Sequence, residues 1–422
     1  MNIPKLNKQE IFVAWMPEVS CGKEYLIYAP LANYHLLASK EIVHRLENIS
    51  TFSYDKDVSD IYARLTDNYP QKIQKTQGIE ETAELSVLLN YICNFSCSYC
   101  YSAKGRSGTA IDKDKLFTAL RYFIDKKRIN TTNLSITFSG GGDPLMSPHL
   151  LNDAILYSDS LAQSQGFSIR YGIVTNGTLL NQEVIELVKQ HKANLVISFD
   201  VLEDVHNKQR SKYKDVCDGI DYLVSNDIYP GIRSTITPLN VCRMEEMVET
   251  MISRFPQLGG IALEVVLNQT LFNEASELND FYSNFVNHYF KAYEIGIKNN
   301  FYAGNTIVND IKEIKERACL SKFTLTPEGE ITACSRISSP QEDFFEEFHY
   351  GKVTNSEVEI DNEKLDHILD KNIYYYQECQ SCIAKWHCSG GCLLARHAYN
   401  STFYGIYCNF MRKMLVKTLL MT

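Results

Sequence analysis

The chain has 422 residues, of which 45% are hydrophobic and 22% charged, and its formal net charge is −9. That length implies two or three domains rather than one small core. The acidic balance and the lack of a Lys/Arg block argue against a nucleic-acid partner. No apolar run reaches bilayer-spanning length, and the N-terminus lacks the basic-then-apolar order of a secretory signal, so a cytoplasmic protein with no membrane partner is expected.

In chain order, residues 1–80 come first. The stretch "EYLIYAPLANYHLLASKEIVHRLENI" reads as a strand pair followed by a short helix, and 57–67 reads as a second helix. No cluster of ionisable residues appears there. A small α+β domain acting as adaptor or lid is expected, without a second active site.

From 84 to 266 the pattern alternates strand and helix. The β-rich runs are 84–90, 134–140, 167–177, 193–200, 231–236 and 260–266. Between the first two lies 112–128, where Leu116, Leu120, Phe123 and Ile124 share one helical face and Asp112 and Asp114 suit the first turn. Six strands with intervening helices imply parallel β/α units with right-handed connections. A partial barrel and a flat doubly wound sheet fit this periodicity equally.

Functional groups of parallel β/α folds collect at the C-terminal ends of strands. Immediately after the first run comes "YICNFSCSYCYS" (91–102), which places Cys93, Cys97 and Cys100 within eight residues. Three thiolates on one loop can hold three corners of an iron–sulfur cubane and leave the fourth iron open. Structural zinc, the competing reading, wants four ligands, and no His or fourth Cys lies nearby. Of thirteen cysteines in all, seven more stand in the last quarter, and Cys21, Cys217 and Cys242 stand alone, where small buried apolar residues are expected.

The 93–100 loop resembles the C-x3-C-x2-C signature of the radical S-adenosylmethionine (SAM) enzymes, with Tyr99 as the aromatic before the last cysteine. "FSGGGDPLM" (138–146) resembles that family's GGE motif: Gly141 and Gly142 match, and Asp143 stands where Glu is usual. "TNGTLL" (175–180), which includes Asn176, and "SFD" (198–200) resemble stretches that flank the SAM ribose and carboxylate in relatives. "VHNKQR" (205–210) is similar to the family as well. The resemblance implies a partial (β/α)6 barrel. It implies cofactor contacts at Tyr99, Gly141, Gly142, Asp143, Asn176, Ser198, Asp200 and Arg210, and a [4Fe-4S] cluster on Cys93, Cys97 and Cys100.

The tail reads Cys319-x9-Gly329-x4-Cys334, then Cys379-x2-Cys382-x5-Cys388-x3-Cys392, then Cys408. This spacing is similar to the SPASM extension found on many radical SAM enzymes; two zinc knuckles are the alternative. By that resemblance Cys319, Cys334 and Cys392 bind one auxiliary cluster, and Cys379, Cys382, Cys388 and Cys408 bind a second. The interval 320–328 lacks the further cysteine of some relatives, so the first auxiliary cluster is expected to have one position without a protein thiolate.

The implied organisation is 1–80 as the small domain, 81–305 as the barrel and 306–422 as the SPASM domain. The implied cofactors are three [4Fe-4S] clusters and SAM. The strand and helix pattern of 1–80 resembles the winged-helix leader-recognition element of ribosomal-peptide (RiPP) maturases. The expected partners are therefore a ribosomally made precursor peptide and an electron donor such as flavodoxin or ferredoxin. The expected reaction is hydrogen abstraction from that precursor, ending in a thioether, C–C or C–O crosslink. Three alternatives remain. A sulfatase-maturing enzyme would carry an Asp where Ser335 follows Cys334. A peptide epimerase would need a hydrogen donor such as Cys217 or Cys242. A zinc-ribbon adaptor would explain the tail alone. No catalytic acid or base is assigned.

Overall fold

The structure, a computed structural model, describes residues 6, 10–16, 23–66, 72–320 and 322–421. Cys21 lies outside the described residues.

The N-terminal domain is a three-stranded antiparallel sheet, with β1 (Phe12–Trp15), β2 (Tyr25–Ala29) and β3 (Tyr34–Ala38) in that spatial order. The predicted strand pair thus gains a third strand. Helices Lys40–Glu47 and Lys56–Thr66 follow, and the first is capped by Ser39 Oγ, which accepts from Ile42 N at 3.3 Å. All five residues of β2 are buried, because the strand is covered on both faces. Tyr25, Ile27 and Ala29 face the domain's own helices. Leu26 and Tyr28, with Phe12, pack on Ile311, Ile314, Ile373, Trp386 and Leu415 from the C-terminal region.

The six predicted strands all form: β4 (Glu84–Val87), β5 (Asn133–Phe138), β6 (Ser168–Thr175), β7 (Asn194–Ser198), β8 (Gly231–Ile236) and β9 (Gly260–Val265). They are parallel and neighbour one another in sequence order. A doubly wound sheet reverses its strand order at a switch point. Successive neighbours in one direction instead give a singly wound, partial (β/α)6 barrel, so the ambiguity left by periodicity is resolved. The predicted helix 112–128 is Lys113–Phe123, capped by Asp112 through Asp114 N and Lys115 N. It stops early because Ile124 leaves helical backbone angles (φ −95°, ψ 66°). Its apolar stripe is buried as expected.

The barrel sheet does not end at these six strands. β10 (Tyr302–Gly304) adds in parallel to β9. At the other edge β11 (Phe323–Leu325) pairs in parallel with β4, and β12 (Glu330–Thr332), β13 (His349–Val353) and β14 (Val358–Ile360) continue antiparallel. The cysteine-rich region is thereby anchored beside the strand that leads into the Cys93–Cys100 loop. Its last helix, Ser401–Met421, packs on helix Ala275–Lys298, where Tyr282 and Phe410 stack at 4.3 Å. Among the described residues no helix is long and apolar enough to cross a membrane.

Candidate functional site

At the C-terminal ends of the barrel strands a cavity of ≈ 280 Å³ opens. The loop that follows β4 forms one wall. Its base is closed by Tyr91 N donating to Thr109 O and Ile111 N donating to Leu89 O. Within it Cys100 N donates to Cys97 O, and Ser98 N reaches Gln209 O on helix Glu203–Gln209. Cys93, Cys97 and Cys100 all line the cavity.

The glycine turn after β5 grips this loop from below. Gly142 N donates to Asn90 O at 2.7 Å and Asp143 N to Ile92 O at 2.9 Å. Gly141 has φ +66°, and a Cβ on Gly142 would sit 2.0 Å from Ile92 O, so only glycine permits this approach. The Asp143 carboxylate is nearly inaccessible. It accepts from Thr175 Oγ1, Asn176 N and Leu145 N, and burial raises its pKa. It therefore joins the turn to the end of β6. The Asn176 side chain is spent similarly, donating to Asn94 Oδ1 and accepting from Thr178.

A second polar network orients Tyr99. Its hydroxyl donates to Asp200 Oδ2 at 2.6 Å and accepts from Arg210 Nη1 at 2.7 Å. Asp200 is wholly buried and also accepts from Gln209, Ser234 and Thr235 N. It stands behind Tyr99, and the cavity is lined instead by Tyr99, Gly141, Gly142, Asp143, Asn176, Ser198 and Arg210.

The thiols of the tail fall into two groups. Burial pushes Cys334 up to about 12, with further repulsion from Cys392 and Cys319. Cys388 is raised well above the usual thiol range by burial, then by Cys382, Cys408 and Cys379. Among the described residues no three His, Cys, Asp or Glu side chains converge on a point suited to a single metal ion. An iron–sulfur cluster is a larger body, with ligands standing around it. The charge environment fits such an anionic body at each group. Arg106 Nη2 lies 3.3 Å from Cys100 Sγ, Arg396 Nη2 3.6 Å from Cys379 Sγ and Arg412 Nη1 4.0 Å from Cys382 Sγ. Arg317 and Arg336 face the Cys319–Cys334–Cys392 group. Arg106 Nη1, Arg210 Nε and Arg317 Nε are buried without a hydrogen-bond partner among the described residues. A buried guanidinium N–H left unpaired is costly, so these atoms point to acceptors that the protein chain itself does not supply.

The two regions meet. Ser335 and Arg336, directly after Cys334, line the same cavity as Cys93, Cys97 and Cys100, and the segment they begin packs on the end of that loop, where Ser338 Oγ donates to Ser102 Oγ at 3.0 Å. Sequence reasoning missed Arg106, Tyr101, Arg233, Thr235, Glu264 and Arg336, which also line it. For Arg233, Thr235 and Glu264 a signal existed, since they alternate on β8 and β9 near the strands' C-terminal ends. Of the isolated cysteines, Cys217 is buried as expected. Cys242 is not: it lies exposed on the short helix Val241–Arg243, a surface turn between β8 and helix Met244–Arg254.

Residues 87–251 match the Radical SAM superfamily. The radical SAM cyclopropyl synthase TigE of Paramaledivibacter caminithermalis is 23% identical over 350 residues, covering 76% of this chain and 70% of its own. A serine-type anaerobic sulfatase-maturating enzyme of Klebsiella aerogenes is 21% identical over 356 residues, 76% of this chain and 82% of its own. Among solved structures, anSMEcpe with bound AdoMet is similar at a TM-score of 0.63 and 13% identity, over 80% of this chain and 98% of that one. Streptococcus suis SuiB bound to precursor peptide SuiA is similar at a TM-score of 0.55 and 14% identity, over 93% and 97%.

Proposed function

We propose that this chain, a radical SAM enzyme of the SPASM type, matures a ribosomally made peptide by oxidative crosslinking. When bound, a [4Fe-4S] cluster with an open iron and SAM supply a 5′-deoxyadenosyl radical. In this reading Cys93, Cys97 and Cys100 hold that cluster. The Gly141–Gly142 backbone takes the SAM amino group, and Ser198 and Arg210 take its carboxylate. Asp200 acts through Tyr99, and Asp143 and Asn176 keep the turns rigid. Cys319, Cys334 and Cys392, and separately Cys379, Cys382, Cys388 and Cys408, hold the auxiliary clusters.

The observation that carries this reading is a single cavity lined both by Cys93, Cys97 and Cys100 and by Ser335 and Arg336, the residues directly after Cys334. With the clusters and SAM bound, a substrate carbon in this cavity would give up one hydrogen atom, one electron and one proton as the new bond closes, and the tail clusters would supply the electron acceptor. A thioether, C–C or C–O crosslink therefore makes the peptide lighter by two hydrogens. The three-stranded N-terminal sheet offers its edges, β1 and β3, for a leader peptide to add as a strand. The likeness to SuiB, which was solved with its precursor, extends over 93% of the chain, against 80% for anSMEcpe.

Sulfatase maturation is the second reading, favoured by the similarity to sulfatase-maturating enzymes. Against it, Ser335 supplies no carboxylate after Cys334. Anaerobic incubation of the reduced, iron-loaded chain with SAM and a short peptide encoded beside its gene, followed by mass spectrometry, separates the readings. Crosslinking predicts a loss of two hydrogens and one 5′-deoxyadenosine per product. Formylglycine formation on a sulfatase peptide, or epimerisation without mass change, overturns it.

A further inference from the structure

The cavity is lined by Arg106, Arg210, Arg233 and Arg336 but by only two carboxylates, Asp143 and Glu264. Most of these groups are already engaged. Arg106 faces Cys100 Sγ, Arg210 holds Tyr99, Asp143 is enclosed by its donors, and Glu264 accepts from Thr306 N and Oγ1. Arg233 and Arg336 have neither a hydrogen-bond acceptor nor an ion-pair partner among the described residues. Arg233 projects into the barrel from β8, at the level of Ser198 on β7 and Ala262 on β9, and remains exposed to the cavity. Arg336 enters from the segment after Cys334, and Tyr101 feels both guanidinium groups.

Arg336 also faces Cys334 and Cys392, but neither it nor Arg233 has an acceptor within hydrogen-bond distance among the described residues, and their planar forks suit a carboxylate. SAM does not satisfy these two groups. Its single carboxylate is outweighed by its ammonium and sulfonium charges, so with SAM bound the cavity becomes more positive. Resting on the peptide-maturase reading, we infer that Arg233 and Arg336 form a subsite for an Asp or Glu side chain of the substrate peptide. The acidic residue is held between the barrel interior and the Cys334 wall, which fixes the neighbouring carbon at the reacting position. The two arginines act as specificity-determining residues and take no part in hydrogen transfer.

The test uses the iron-loaded full chain with SAM present. The probes are a fluorescent, N-acetylated and C-terminally amidated pentapeptide with a central Glu, and the same peptide with a central Gln. The Glu peptide should bind at least ten times more tightly, and that preference should vanish in R233Q and R336Q. SAM affinity should stay within twofold of wild type in both variants, and iron content should do so in R233Q, which stands away from every cysteine group. R336K, which keeps the charge beside Cys334, should retain part of the preference and guards against a misfolded variant. Equal binding of the two peptides, or no binding of either, overturns the inference. So does a loss of SAM affinity in R233Q with the acid preference intact, which would give that arginine to the SAM carboxylate. Acid-selective binding by a chain that modifies no peptide would leave the subsite standing and remove the maturase reading. Crosslinking of a precursor whose Asp and Glu residues are all amides would do the reverse.

Discussion

Tyr28 donates its hydroxyl proton to Nε2 of His387 at 2.6 Å, across 359 residues of chain, and the two rings stack with centroids 5.7 Å apart. The direction of that bond follows from the other ring nitrogen. Nδ1 faces Glu313 O at 3.0 Å, and a carbonyl only accepts, so Nδ1 carries the hydrogen and Nε2 is the acceptor. Burial holds His387 neutral, lowering its pKa to about 4. Beside this pair Glu10 receives Lys385 Nζ at 2.6 Å and Trp386 Nε1 at 2.9 Å. The N-terminal domain is thus fastened onto the segment that carries Cys379, Cys382 and Cys388.

Replacing Tyr28 with Phe keeps the stacked ring and leaves His387 Nε2 buried without a donor. The expected cost is about 1–3 kcal/mol. It should appear as a lower thermal midpoint of the iron-loaded protein, with iron content unchanged; an unaltered midpoint contradicts it. The same contact explains why removing residues 1–80 is a poor test of leader binding. That deletion strips Phe12, Leu26 and Tyr28 from Ile311, Ile314 and Ile373. It also removes Ile79 from the barrel core. Point changes on the sheet edges avoid both losses.

Changing Cys93, Cys97 and Cys100 together to Ala should remove one cluster's worth of iron, about four of about twelve atoms per chain. Reductive SAM cleavage should be lost while the absorbance of the tail clusters persists. Cleavage that survives in this variant would take the radical chemistry away from the loop.

Gly142→Ala places a methyl against Ile92 O and Asn90 Oδ1, at 2.0 and 2.3 Å. Both neighbours are fixed, one as backbone and the other by its contact with Ile92 N. The turn must separate from the cysteine loop. SAM affinity should fall at least tenfold, read by equilibrium dialysis, whereas Gly108→Ala, which meets nothing within 4 Å, should leave it unchanged.

What was legible in the sequence follows from period and position. The six barrel strands bury alternate residues such as Leu134, Ile136 and Phe138, and the loop after the first strand falls where parallel β/α folds place their chemistry. Less legible were elements stabilised by distant partners. β1 is four residues with Trp15 exposed, and it pairs only because β2 lies beside it. β11 and β12 are three residues each and carry too short a pattern to be read alone. The candidate site divides in the same way. Cysteine spacing announces the thiols, but nothing local marks Arg336 as lining the same cavity as Arg233, since that depends on β11 adding to the edge of β4.

His206 is fully buried, and its Nδ1 accepts from Asp200 N at 3.2 Å, so the neutral ring carries its hydrogen on Nε2. Protonation at Nδ1 would set two donors against each other in a dry site. Burial accordingly lowers the pKa from 6.5 to about 4, outweighing the Asp200 carboxylate, which raises it, and with Arg210 adding to the lowering. Above pH 6.5 neither state holds this proton and His206 contributes no pH dependence. Between 6.5 and about 4 the unfolded chain takes up the proton and the folded chain does not, so stability falls as pH falls. The full penalty is on the order of 3 kcal/mol. His206→Asn keeps an acceptor near Asp200 N but cannot titrate. The variant should be less stable than wild type at pH 7.5, because it leaves space beside Phe199 and Tyr213. Going to pH 5, wild type should lose about 2 kcal/mol relative to the variant, measured as paired urea midpoints at each pH. Cluster loss in acid affects both proteins alike and cancels in the difference. Midpoints that fall in parallel would show that His206 is protonated in the folded state or freely solvated, contrary to its place behind Tyr99 and Asp200.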